Sequence, residues 1–203
     1  MGDLVRVDDG HAIDWAAKAL LGGEVVVVPT ETVYGLAALP AIPGATRRIF
    51  ELKGRTADVP LAVLCADAGQ ALALADAPSE LLRDVAARCW PGPLTLVLRR
   101  RPGLGYELGE PATTIGLRCP DHPVVRALAA DVGPIATTSA NLHGQPTPGT
   151  AAEVAALFGD DVALVLDGGP CTGVPSTVVD ATGDPAEWRV LRPGSLSLAE
   201  IRG

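Results

Sequence analysis

The sequence predicts a single α/β domain built on a twisted mixed β-sheet with flanking helices. Short aliphatic and β-branched runs alternate with segments of helical periodicity. The alternation is irregular, with candidate strands adjacent near the middle and the end of the chain, unlike a strict parallel βαβ repeat. No internal repeat, low-complexity tract or long linker divides the 203 residues, so residues 1–203 are expected to share one core.

The elements follow in order. Residues 11–22 read as a helix, with Ile13, Ala16, Ala17 and Leu20 on one face and Gly22-Gly23 as the stop. Val25 to Val28 is an unbroken β-branched run ended by Pro29, a strand buried on both faces. Residues 43–53 form a second helix, opened by Pro43-Gly44 and closed by Gly54. Leu61 to Cys65 is a short strand. Pro78-Ser79 opens a helix over 78–89, with acidic residues in its early turns complementing the helix dipole. Further strands are expected at Leu94–Leu98, Thr114–Arg118, Ile135–Ser139, Val162–Leu166, Thr177–Val179 and Trp188–Leu191. Helices are expected near 122–131 and 150–158 and, as a last short turn, at 197–202. Residues 100–113, rich in Gly and Pro and without periodicity, are the expected mobile loop.

Composition narrows the function. Hydrophobic residues are 48% and aromatics 3%, so the core is built from Val, Leu, Ala and Ile. Sixteen basic against 24 acidic residues give a net charge of −8, which disfavours a long polyanion but says nothing against a small nucleotide held by a few cations. The four cysteines form no CxxC pair and the three histidines are scattered, so reduced thiols are expected and no zinc site. No signal peptide or membrane-length apolar run is visible, and the expected location is the cytoplasm.

Several common site signatures are absent. There is no GxxxxGK[ST] loop, no GxGxxG between a strand and a helix, and no GxSxG elbow. Gly103, Gly105 and Gly109 approach the second spacing, but no helix follows and a surface turn is the better reading. Ser139 and His143 lie four apart without an evident orienting acid.

Four segments carry candidate site residues, and two of them are strands with polar groups where a buried face should be apolar. In Thr114-Ile115-Gly116-Leu117-Arg118, alternation puts Thr114, Gly116 and Arg118 on one face, a floor for an anion or a solvated edge. Thr137 and Ser139 share a face in the next such strand, and Asn141 follows in the turn; they serve a ligand or cap their own turn. Lys53-Gly54-Arg55 ends a helix, where cations suit the dipole and could equally grip a triphosphate. The PTETVYGL segment leaves a buried strand and turns at Gly35, with Thr30 and Thr32 as a polar lip and Tyr34 beside them.

Together these stretches resemble the YrdC-like family of L-threonylcarbamoyladenylate synthases. The matching segments are VVVVPTETVYGLAA, IFELKGRTADVPLAVL, WPGPLTLVL, TIGLRCPDHP, IATTSANLHGQPTP, PSTVVD and VLRPGS, spanning about residues 20–195. The resemblance implies an open concave sheet face that holds the ligands. It implies ATP contacts at Lys53, Arg55, Thr114, Ser139, Asn141, Thr147 and Arg192, with Lys53 and Arg55 closest to the chemistry. It implies threonine contacts at Thr32, Tyr34, Arg118, Thr137 and Ser176. The substrates would be L-threonine, bicarbonate and ATP, with Mg2+ held mainly by the ATP phosphates. The product would pass to a separate tRNA threonylcarbamoyl-transferase complex, and a weak tRNA contact is a further expectation. Val59 and Leu64 depart from the pattern, standing where many members carry Asn or Lys and some carry His. The short, single-domain form is implied. Two alternatives stay open on the sequence: a carbamoyl-adenylate-forming paralogue, and a non-catalytic module for tRNA or double-stranded RNA.

Overall fold

The irregular alternation of strands and helices resolves into one mixed sheet. A computed structural model describes residues 3–54, 56–171 and 173–203. The strands among them are β1 (Asp3–Arg6), β2 (Val26–Val28), β3 (Gly35–Ala38), β4 (Ala62–Leu64), β5 (Leu94–Arg99), β6 (Thr114–Arg118), β7 (Ile135–Ser139), β8 (Leu164–Asp167), β9 (Thr177–Asp180) and β10 (Arg189–Arg192). The helices are α1 (Ala12–Leu21), α2 (Ala45–Lys53), α3 (Ala68–Leu72), α4 (Glu80–Cys89), α5 (Pro123–Val132), α6 (Ala151–Phe158) and α7 (Leu198–Arg202). The sheet order is β1-β8-β2-β3-β7-β4-β6-β5-β9-β10, with parallel and antiparallel pairs interspersed.

Three elements go beyond the sequence expectations. The polar N-terminal segment forms β1, an edge strand that buries only Val5 and pairs it with Leu166 of β8. One buried position in four is too weak a pattern to read as a strand from sequence. Helix α3 is a single short turn held by the Asp67 side chain, which accepts from the Gln70 amide at 2.8 Å. The turn expected at Gly35 falls earlier. Thr30 closes it, its Oγ1 accepting from the amides of Thr32 at 3.2 Å and Val33 at 3.1 Å and donating to Val33 O at 2.7 Å. Gly35 therefore opens β3, antiparallel to β2.

The helices cover the sheet unevenly. Ala12, Ala16 and Leu20 of α1 and Val125 and Leu128 of α5 bury one face around Val26, Val28, Leu64, Ile135, Leu164 and Leu166. The larger cluster joins α2, α4, α6 and α7 through Ile49, Val85, Val154 and Ile201 to Val27, Leu36, Val63, Leu96, Ile115 and Leu117. Burying each aliphatic side chain contributes about 1.5–3 kcal/mol, which offsets the ordering of the chain. The opposite side of β7, β4, β6 and β5 carries Thr137, Ala62, Gly116 and Val97 and forms the floor of a hollow. Loop 100–113 is tied to the body in its second half: Leu108 is buried, its carbonyl accepts from the Leu61 amide at 2.7 Å, and the Glu110 amide donates to Ala57 O at 2.7 Å.

Gly35 shows how closely the strands approach. A Cβ there would lie 2.6 Å from Thr137 Oγ1, which donates to Leu36 O at 3.0 Å. Gly35→Ala is expected to displace Thr137 and lower stability by about 1–3 kcal/mol, read from the urea midpoint; an unchanged midpoint would show that β3 and β7 can part without cost.

Candidate active site

The hollow has a volume of about 350 Å3 and lies over the bare sheet face. Its floor is set by register. Thr137 of β7 pairs with Ala62 of β4, Ala62 with Gly116 of β6, and Gly116 with Val97 of β5. Side chains in register on neighbouring strands share a face, so the two smallest residues occupy the middle of the row. A Cβ on Gly116 would sit 3.5 Å from the Thr95 methyl and 3.8 Å from Ala62, ordinary contact distances. Gly116 is therefore open space within the hollow and not a steric necessity.

Hydroxyls and two guanidiniums rim this floor. Tyr34, Thr114, Arg118, Thr137, Ser139, Thr147, Ser176 and Arg192, expected from the sequence, all line the cavity. No carboxylate, histidine or cysteine lies among the described lining residues. Arg192 is anchored at the wall: Nη2 donates to Ser176 O at 2.9 Å and to Ser176 Oγ at 3.0 Å. Burial, and then the nearby positive charge of Arg118, push the Arg192 guanidinium below its usual pKa. Two like charges converging on one hollow are unfavourable alone and favourable once an anion arrives.

Arg118 is 6% exposed. Its Nε donates to Gly92 O at 3.2 Å, and Nη2 lies 2.8 Å from Glu31 Oε1. Tyr34 is fully buried and donates to Gly169 O at 2.6 Å. Burial pushes its phenol up to about 12, so it stays protonated and serves as a donor and spacer rather than a base. Ser176 Oγ and Thr95 Oγ1 share a 2.8 Å hydrogen bond, tying the β9 side of the wall to the floor strand.

Three expected residues are buried beside the cavity and do not line it. Thr32 hydrogen-bonds Thr30 at 2.9 Å through their hydroxyls. Lys53 Nζ, at the end of α2, donates to Ser139 O at 2.6 Å, Asn141 O at 2.7 Å and Asn141 Oδ1 at 2.9 Å. Asn141 accepts from Ser139 Oγ at 2.5 Å and donates to Leu142 O at 3.0 Å and Gln145 O at 2.5 Å. The ammonium thus gathers the oxygens of the turn after β7 and sets the orientation of Ser139 in the cavity wall. Arg55 lies outside the described residues. Sequence reasoning missed Thr95 and Glu31. Alternation along β5 pointed to Thr95, and a buried strand arginine required a carboxylate such as Glu31. Among the described residues no group of His, Cys, Asp or Glu is arranged to hold a metal, and no helix is long and apolar enough to cross a membrane.

Known proteins resemble this chain in sequence and fold. The Sua5/YciO/YrdC family model, described as "Telomere recombination", matches residues 18–194. A Bacillus subtilis threonylcarbamoyl-AMP synthase is 41% identical over 189 residues, covering 92% of this chain and 54% of its own length. The human threonylcarbamoyl-AMP synthase is 36% identical over 194 residues, covering 91% of this chain and 67% of its own. Among solved structures, Pyrococcus abyssi Sua5 complexed with L-threonine superposes with a TM-score of 0.90 at 40% identity, covering 99% of this chain and 59% of that one. The chain thus spans little more than half the length of the Bacillus and Pyrococcus relatives.

The Lys53 contacts generate a prediction. Lys53→Met would remove the ammonium donor from Ser139 O, Asn141 O and Asn141 Oδ1, leaving Ser139 O with the Asn141 amide and Asn141 Oδ1 with the Ser139 hydroxyl. A loss of about 1–3 kcal/mol in stability is expected, together with faster hydrogen exchange at the amides of 139–145. Wild-type exchange in that turn would remove Lys53 as its organiser.

Proposed function

The chain belongs to the Sua5/YciO/YrdC family, and from that premise we propose that it condenses L-threonine, bicarbonate and ATP to threonylcarbamoyl-AMP and pyrophosphate. The observation that carries this reading is the pair Arg118 and Arg192 facing one hydroxyl-rimmed hollow whose described lining holds no carboxylate. Such a hollow suits two anionic ligands side by side: an amino-acid carboxylate and a nucleotide.

The residues divide by position. Arg118 takes the threonine carboxylate, with Thr137 and Ser176 orienting the amino acid and Tyr34 closing the wall behind it; Thr32 supports that wall through Thr30. Thr114, Ser139, Thr147 and Arg192 face the nucleotide, and Lys53 and Asn141 act on it by fixing Ser139. Arg55, following α2, adds a second cation for the triphosphate. The neutral threonine amine bonds to the carbon of bicarbonate, directly or as CO2, and gives up a proton as a C–O bond breaks and water leaves, which forms a carbamate. A carbamate oxygen then bonds to the α-phosphorus as the bond to pyrophosphate breaks, which makes the enzyme a nucleotidyltransferase. Positioning and charge neutralisation supply the rate. No carboxylate lies on the described cavity wall, so Mg2+ would be held by the ATP phosphates rather than by protein ligands and would offset their charge. The product leaves for a separate tRNA threonylcarbamoyl-transferase, in keeping with an acidic body poorly suited to holding RNA itself. The cytoplasm is the proposed location.

Two variants test the assignment. Arg118→Lys keeps the charge but loses the planar fork. It is expected to weaken threonine binding by at least about ten-fold in calorimetry, with ATP affinity retained. Wild-type threonine affinity would show that the carboxylate sits elsewhere. Gly116→Val adds a Cβ at ordinary contact distances from Thr95 and Ala62 and carries two methyl groups onto the floor. Threonine-dependent pyrophosphate release should fall by at least about a hundred-fold while the melting temperature moves by no more than about 2–4 °C. A fully active variant would mean that the ligands avoid this floor.

A further inference from the structure

We infer that Glu31 is a positioning residue for the substrate carboxylate, acting through Arg118; this rests on the reading of Arg118 given above. Arg118 is held from two sides. The turn after α4 offers Gly92 O to Nε at 3.2 Å, and the turn after β2 brings Glu31 Oε1 to 2.8 Å from Nη2. The side chains are 7% and 23% exposed, and both Glu31 oxygens and Arg118 Nη2 are shut off from solvent. The contact is a charge pair off the line of the N–H bonds rather than an aligned hydrogen bond. Arg118 lines the cavity and Glu31 does not, so the carboxylate stands behind the guanidinium.

This placement has two consequences. A guanidinium this buried needs a counter-charge while the cavity is empty, and Glu31 supplies it from the side away from the ligand. With Nε engaged by Gly92 and Nη2 drawn toward Glu31, the guanidinium plane is fixed and Nη1 remains for the ligand. Glu31 can hold this pose because Thr30 and Thr32 lock the turn that carries it. The segment identified from sequence as a polar lip is thus also the mount for a charge.

The test is a double-mutant cycle read by calorimetric titration with L-threonine and, separately, ATP. Glu31→Gln keeps the shape and removes the charge; it is expected to weaken threonine binding about ten-fold and to leave ATP affinity within about two-fold. In the Arg118→Lys background, which has no fork left to orient, the same change should weaken threonine binding by less than about two-fold. A merely structural Glu31 would give the full loss in both backgrounds and would move ATP affinity too. Glu31→Asp, which keeps the charge but withdraws it by one methylene, should fall between wild type and Glu31→Gln and carries the test should the Gln variant not fold. Wild-type or tighter threonine binding in Glu31→Gln, or losses that add in full, overturns the inference. Unchanged binding in Arg118→Lys alone instead overturns the assignment of Arg118 and leaves Glu31 an ordinary counter-ion.

Discussion

Register across four neighbouring strands makes the hollow possible. Thr137, Ala62, Gly116 and Val97 stand in one row because β7, β4, β6 and β5 keep their pairing without a slip. A shift of one residue in β6 would exchange Gly116 for Ile115 or Leu117, turning core side chains into the cavity and polar ones into the core. The apolar faces on the helix-covered side enforce the pairing. The energy that folds the sheet is therefore the energy that positions the floor, and the site needs little stabilisation of its own.

The walls depend on a different principle, satisfaction of buried polar groups. The turn after β2 is closed by Thr30, the turn after β7 by Lys53 and Asn141, and the Ser176 segment by Arg192 and Thr95. Thr30, Lys53 and Arg192 supply side-chain partners to backbone groups that sheet pairing no longer serves, and Thr95 adds a hydroxyl–hydroxyl bond to Ser176. This explains why so many hydroxyls and amides cluster here in a protein otherwise built on aliphatic packing. It also separates two groups that looked alike in sequence. Ser139 lines the cavity, while Asn141, two residues on, spends its amide on holding the turn.

Most of the fold was legible in the sequence because most elements carry strong periodicity. The β-branched run of β2, the alternation in β6 and β7, and the Pro78-Ser79 start of α4 mark their elements within a few residues. What escaped lacks such signals: β1 buries a single side chain, α3 is one turn, and β3 opens on a glycine that reads as a turn residue. The site was legible as polar exceptions on two buried strands, joined by a cationic helix end and the turn after β2. The distribution of labour within that set was not. Nothing local in Lys53-Gly54-Arg55 reveals that the Lys53 ammonium meets the carbonyls of residues 139 and 141, a contact created by packing α2 near the end of β7. Nor does PTET reveal that Glu31 meets Arg118, which lies 87 residues away in sequence (118 − 31).

The electrostatics bring these levels together. A chain with net charge −8 would be a poor host for anions if net charge governed binding. At physiological ionic strength, exposed charges are screened beyond about 8 Å, so the surface acids act weakly on the hollow. Among the described lining residues the cations are Arg118 and Arg192, and Glu31 subtracts from the first of them from behind. The Glu31 carboxylate lowers the cost of keeping Arg118 buried, and it also weakens the attraction for a second carboxylate. The arrangement is favourable only if orientation contributes more to binding than raw charge does. A planar donor held at Nε and drawn at Nη2 meets that condition, whereas a point charge in the same place would not. The fork geometry of arginine, more than its charge, is therefore what this part of the fold preserves.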